Sequence, residues 1–214
     1  MNMSLHKDRV LFNLSLTFSL ILILSNLVAA SRLVITSYFT IPGGLILYPA
    51  TFVISNIVNE VFGPEKTRRM VLSAFAGNIF SLIFLHMISF LPASSPDVEH
   101  AWHTLFDISP IVFIASFVSF SVSQQLEILS FSFLKQRFPN TPAWLRNNTS
   151  TLLSQMMDTF IVDFGVIYLG MHLPFTKTLQ IMMCSYLYKV FFNILTTPIF
   201  YLGVRKSYVS AKIM

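Results

Sequence analysis

Cysteine is almost absent from this chain of 214 residues, and so are the common catalytic motifs. The single cysteine, Cys184, excludes an intramolecular disulfide framework and a zinc site built on cysteine pairs. The phosphate-binding motif GxxxxGK[ST], the zinc motif HExxH and the nucleophile motif GxSxG are also missing. The chain is therefore not expected to hydrolyse ATP by itself, and no catalytic constellation or cofactor site indicates an enzyme.

Charged residues are scarce as well. They form 11% of the chain, against about a quarter in a soluble domain, while 54% of the residues are hydrophobic. Three segments, Val10–Ser31, Met70–Pro96 and Ile108–Leu126, contain no Asp, Glu, Lys or Arg. Each is long enough to cross a bilayer as a helix, which takes about 20 residues. The composition predicts an all-α, polytopic membrane bundle that occupies residues 1–214 as a single domain.

The hydrophobic pattern predicts six transmembrane helices, and the distribution of basic residues predicts their orientation. The expected spans are about 10–32, 44–62, 70–92, 109–134, 149–170 and 178–204. Eleven basic residues fall at the termini and in the second and fourth loops, whereas the opposite side holds only Arg32 and Lys177. Positive loops face the cytoplasm, so both termini are expected inside and the loop 92–110 outside. The net charge of +5 follows this loop pattern and does not indicate nucleic-acid binding.

The start of the second span is interrupted by Pro42, Gly43 and Gly44. Non-helical backbone at membrane depth survives only where it is buried in protein or lines a cavity. The break therefore predicts either a vestibule for a substrate or an ordinary exposed loop with a turn. The sequence leaves both open.

Several charges lie inside the apolar segments: Glu60, Glu127, Asp158, Asp163 and Lys189. An ionisable group within the bilayer is costly unless it is paired or solvated, so each indicates a substrate or ion pathway. Three of these charged residues belong to rows of polar residues that share one face of a helix. The rows are Ser116, Ser119, Ser123 and Glu127; Ser150, Ser154 and Asp158; and Tyr186, Lys189 and Asn193. Asp163 is expected on a different side of its helix from Asp158.

Each polar group also has a structural interpretation. Serines in membrane helices often serve close packing, and Glu60 and Glu127 lie near cytoplasmic ends where loop arginines are within reach. Lys189 is equally well explained as the counter-ion of Asp158 or Asp163. Asp158 and Lys189 fall near mid-membrane, however, where neither reaches water easily, and midplane polar clusters are typical of substrate sites.

The segment from Tyr48 to Gly63, with the sequence YPATFVISNIVNEVFG, resembles the queuosine-precursor transporter family, which is also described as vitamin-uptake-like and is related to energy-coupling-factor substrate-binding components. Further similarity lies in Ser25-Asn26, in the stretch 144–159 with its Arg-Asn-Asn and Gln-x-x-Asp-Thr elements, and in Tyr188-Lys189-Val190. The family usually has Asp where this chain has Asn56, and commonly Asp where it has Glu127.

The resemblance implies a multi-pass importer in the cell (inner) membrane for a 7-deazaguanine compound: the 7-cyano form, the 7-aminomethyl form or queuine. The implied partners are this small molecule and membrane lipid, with a homodimer or a separate ATPase module left open. The candidate substrate-binding residues are Asn26, Asn56, Glu60, Glu127, Gln155, Asp158 and Lys189. Two alternatives remain: a vitamin-binding component that needs a partner ATPase, and an integral-membrane enzyme or assembly factor.

Overall fold

The computed structural model describes residues 2–31, 33–35, 40–106, 110–170 and 172–210. Arg32 and Lys212, which entered the charge count, lie outside these ranges. The helices are α1 (Asn2–Ser31), α2 (Pro49–Phe62), α3 (Pro64–Ile88), α4 (Pro96–Phe106), α5 (Pro110–Arg137), α6 (Ala143–Asp163) and α7 (Phe175–Ser210). The short strands β1 (Leu33–Ile35) and β2 (Thr40–Pro42) pair antiparallel between α1 and α2.

The helices begin where the sequence gives physical reasons for it. Proline is the first residue of α2, α3, α4 and α5. Its missing N–H and fixed φ suit the first turn of a helix. Between α2 and α3 the chain turns at Gly63, whose φ of 85° lies in the left-handed region that glycine adopts without a Cβ clash. A single residue therefore separates two long antiparallel helices.

The helical fold class is confirmed, with differences at the element ends. Five stretches among the described residues are long and apolar enough to cross a membrane: His6–Val28, Gly43–Phe62, Pro64–Ile88, Ala143–Gly170 and Phe175–Val209. The remaining expected span, 109–134, corresponds to α5, which is 28 residues long but is not among these five. Helix α4 is an addition that the sequence did not predict, and it lies within the expected outer loop.

The interior of the bundle combines an apolar core with many buried polar side chains, and its surface is apolar. Among the described residues, fully buried side chains include Ser119, Glu127 and Gln155, whereas Phe12, Phe80 and Leu202 are each exposed by 65% or more. In a soluble protein the large apolar side chains would be the buried ones. This distribution matches a helical bundle surrounded by lipid, in which polar groups hydrogen-bond across helices.

Helix α6 lies between α5 and α7 and packs on both. Small residues permit a close approach of the segment that follows it. A Cβ placed on Gly165 would come within 2.5 Å of the Ala115 Cβ on α5, so only glycine fits there. Gly165 belongs to a π-helical stretch, Phe164–Gly170, which directly continues α6. Such wide turns occur frequently near functional sites.

Candidate functional site

A cavity of about 100 Å³ is lined by α1, α5, α6, α7 and the segment before α2. Its helical residues lie in the last two turns of α1, in the first three turns of α5, toward the end of α6 and in the first half of α7. Gly44, Leu45 and Tyr48, which precede α2, complete its wall. The lining residues are Ser25, Asn26, Gly44, Leu45, Tyr48, Ser116, Phe120, Asp158, Val162, Asp163, Ser185 and Lys189.

The break at Pro42, Gly43 and Gly44 thus contributes to this cavity. Residues Gly43–Ile46 form a 3₁₀ turn whose first three residues are buried. The turn packs against α1. Of the two interpretations of the break, the structure favours a wall of a cavity over an ordinary exposed loop.

An ion pair between Asp158 on α6 and Lys189 on α7 forms the polar centre of the cavity. Lys189 Nζ lies 2.7 Å from Asp158 Oδ2 and donates a second hydrogen bond of 2.8 Å to Thr159 Oγ1. The two side chains are only 3% and 4% exposed. Burial of one charge without the other would be costly, so the pair holds α6 and α7 together at this level.

The second oxygen of Asp158 is also fully engaged. Its Oδ1 accepts hydrogen bonds from Tyr48 OH at 3.1 Å, from Ser119 Oγ at 2.8 Å and from Ser123 Oγ at 3.4 Å. These donors come from α5 and from the residue preceding α2. One carboxylate therefore connects four segments of the bundle, and its hydrogen-bonding capacity is used by the protein itself.

Asp163 lies on the wall of the same cavity as Asp158, although the two are five positions apart and a different side of the helix was expected for each. Asp163 is 6% exposed, and its buried Oδ2 has no hydrogen-bond partner among the described residues. The hydroxyls of Ser25 and Ser185, also on the wall, are likewise buried without a partner among the described residues.

A second polar cluster surrounds Glu127, which is completely buried. Its Oε1 accepts hydrogen bonds from Asn56 Nδ2 at 2.5 Å and from Thr151 Oγ1 at 2.9 Å, and its Oε2 accepts one from Ser154. Asn56 also donates to Asn147 Oδ1 at 2.9 Å. All of these donors are neutral, so the cluster links α2, α5 and α6 without an ion pair.

A third cluster gathers around Glu60, at the end of the bundle opposite the cavity. Arg146 and Lys135 each approach its carboxylate to 3.3 Å. Lys135 and Tyr208 donate to its backbone carbonyl at 2.8 Å and 3.1 Å. The ends of α2, α5 and α7 and the start of α6 meet here. Glu60 thus pairs with basic residues near the helix ends, which agrees with the structural interpretation of this residue.

The structure divides the candidate residues among these places. Asn26, Asp158 and Lys189 line the cavity, whereas Asn56 and Glu127 belong to the second cluster and Glu60 to the third. Gln155 is buried on α6, one turn before Asp158, but is not part of the cavity wall. Neither polar atom of its side-chain amide has a hydrogen-bond partner among the described residues.

Tyr48 and Asp163 are cavity residues that are not among the candidate substrate-binding residues, although the sequence singles out Asp163 as a charge within an apolar segment. Tyr48 stands in the turn before α2, where no helical period marks a side chain as interior. Its position in a Tyr-Pro pair at the start of a helix was the available signal. No group of three His, Cys, Asp or Glu side chains suited to a metal ion occurs in the described portion of the chain.

Apolar helices around a polar cavity that contains a buried ion pair define an α-helical membrane protein of the transporter class. The comparisons identify the family. A family model described as "Putative vitamin uptake transporter" matches residues 42–203. The chain belongs to this family, that of the queuosine-precursor transporters.

Two curated relatives carry the name "Probable queuosine precursor transporter". The protein from Bacillus subtilis is 33% identical over 161 residues, which span 74% of this chain and 69% of that protein. The protein from Haemophilus influenzae is 27% identical over 155 residues, which span 71% of this chain and 63% of that protein. No solved structure matches the chain at a significant level.

Proposed function

We propose that this chain imports a queuosine precursor of the 7-deazaguanine type across the cytoplasmic membrane, with the cavity around Asp158 and Lys189 as its substrate site. The observation that carries the proposal is the polar cavity itself, enclosed within an apolar bundle of this family. The names of the two relatives support the class of substrate.

The chemistry of the cavity suits a flat, polar base. A guanine-like edge offers adjacent N–H donors and a carbonyl acceptor. Carboxylates accept the former, and the side-chain amide of Asn26 offers a donor to the latter. Phe120 and Tyr48 supply aromatic surface on which a heteroaromatic ring packs. Buried partners of this kind discriminate strongly against analogues that lack the matching group.

We further propose six membrane spans with both termini in the cytoplasm. The helix order supports it, because α1 and α6 run toward the cavity, whereas α2, α5 and α7 run away from it. The basic residues Arg146 and Lys135 accompany the Glu60 cluster at the opposite end. Under the positive-inside rule that end is cytoplasmic and the cavity lies in the outer half of the membrane.

Uptake into liposomes that contain this chain alone tests the proposal. The three candidate compounds are supplied separately, with and without an imposed proton or sodium gradient. Saturable uptake of at least one compound supports a self-sufficient importer. Tight binding without uptake supports the alternative of a substrate-binding component that requires an ATPase. Chemical alteration of the compound would support an enzyme, and absence of both binding and uptake would overturn the substrate assignment.

A further inference from the structure

The cavity wall contains a carboxylate with one oxygen that has no hydrogen-bond partner among the described residues. This oxygen is Oδ2 of Asp163, a residue that is 6% exposed. By contrast, the two oxygens of Asp158 accept from Lys189, Tyr48 and Ser119. A ligand that enters the cavity therefore finds Asp163 available and Asp158 already bound by the protein.

The charges on the cavity wall do not cancel. Asp158 and Lys189 have opposite charges and neutralise each other, since Lys189 Nζ lies 2.7 Å from Asp158 Oδ2. Asp163 adds a second carboxylate, which Lys189 also attracts, so the wall carries one net negative charge when both carboxylates are ionised. A buried charge is costly unless a partner compensates it. The missing partner is a cation.

We propose that Asp163 is a specificity-determining residue that selects precursors carrying a positively charged amine. The inference rests on the proposed function, because it concerns the choice among 7-deazaguanine compounds. The 7-aminomethyl compound carries an alkylamine, which is protonated at neutral pH as a lysine side chain is. The 7-cyano compound is neutral at the same position, so it gains nothing from the charge of Asp163.

A hydrogen bond between an ammonium and a carboxylate is shorter and stronger than one between neutral groups. Its loss typically lowers affinity by about 10-fold or more. The ammonium of Lys189 donates hydrogen bonds to Asp158 and Thr159, and Asp163 Oδ2 receives none from it. Selection for a cation therefore depends on Asp163 and not on the existing ion pair.

Equilibrium binding of the 7-aminomethyl and 7-cyano compounds to the full chain in lipid nanodiscs tests this assignment. We expect Asp163→Asn to weaken binding of the aminomethyl compound by about 10-fold or more and to change binding of the cyano compound by less than about 3-fold. Asp97→Asn is the matched control, because it removes an exposed carboxylate on α4. It should alter neither affinity.

Retained binding of the cyano compound shows that the variant is folded. If Asp163→Asn does not yield folded protein, Asp163→Ser removes the same charge with a smaller side chain and repeats the comparison. Equal loss of both compounds, or an unchanged ratio of their affinities, would overturn the role of Asp163 in selecting charge. Failure of the wild-type chain to bind either compound would instead contradict the proposed function.

Discussion

The buried pair Asp158–Lys189 leads to a quantitative prediction about stability. Lys189→Met removes the cation and leaves the Asp158 carboxylate with hydroxyl donors from Tyr48 and Ser119. Asp158→Asn removes the anion and leaves the ammonium with the Thr159 hydroxyl, the oxygen of the new amide and the charge of Asp163 on the same wall. Lys189→Met, by contrast, leaves two buried carboxylates without a cation, and we expect it to be the less stable of the two.

The magnitude follows from burial. Both side chains are at most 4% exposed, so solvent screens their interaction little. Breaking a buried pair by removing one partner costs about 3–5 kcal/mol, because the other charge remains buried alone. We expect about 3 kcal/mol for Asp158→Asn and a larger loss, toward about 5 kcal/mol, for Lys189→Met. The double variant carries neither charge and should be more stable than the sum of the single losses indicates, by about 2 kcal/mol.

Equilibrium unfolding of the four proteins in mixed detergent micelles measures this double-mutant cycle. Uptake measured at equal expression separates stability from transport: the double variant is expected to recover folding without recovering transport, because its cavity lacks both charges. Single variants that each lose less than about 1 kcal/mol and combine additively would refute the reasoning, since two charges buried together cannot then be strongly coupled.

Three further predictions concern other parts of the bundle. A cysteine introduced at Asp97, in a background without the native cysteine, should react with an impermeant reagent in intact cells; labelling only after permeabilisation would reverse the proposed orientation. Arg146→Met should lower the unfolding free energy more than Lys135→Met, because the Lys135 side chain is 38% exposed and that of Arg146 only 9%; equal effects in thermal unfolding would contradict this. Asn56→Asp replaces an amide that donates to Glu127 at 2.5 Å with a second carboxylate, so unfolding should show a loss of about 1–3 kcal/mol, whereas unchanged stability would show that this contact contributes little.

The sequence predicted the helices and the importance of Asp158 and Lys189 for physical reasons that are local. Charges in mid-membrane are costly, so their presence indicates partners, and the helical spacing of each row of polar residues indicates which side of a helix is polar. The prolines that begin α2, α3, α4 and α5 mark helix starts without any knowledge of tertiary structure.

The division of the polar residues into separate clusters was not predictable in this way. A row of polar residues extends along the whole helix, but a cavity occupies only part of it. Ser116 and Glu127 share a face of α5, yet eleven residues separate them, which corresponds to about 16 Å along a helix. The former therefore lines the cavity and the latter does not. The packing of the helices determines which of their residues enclose a cavity. It also determines that Asp163 is one of these residues.

Helix α7 is a single element that bears on both ends of the transport path. Lys189 contacts α6 at the cavity, and Tyr208, nineteen residues later, contacts the carbonyl of Glu60 on α2. This separation corresponds to about 28 Å of helix. Alternating access requires that the two ends of a transport path open in turn. Helix α7 contributes contacts at both the cavity and the Glu60 cluster, so a movement of this helix would affect both.

Pro198 lies between these two contacts, inside α7. Pro198 lacks the N–H that would donate to the carbonyl of Ile194, four residues earlier. The helix therefore bends most easily at this point. We expect the half of α7 that lines the cavity to pivot there against the half that contacts Glu60. The pivot would allow the contacts around the cavity to loosen while the Glu60 contacts remain in place, so that the two ends of the bundle would not open together.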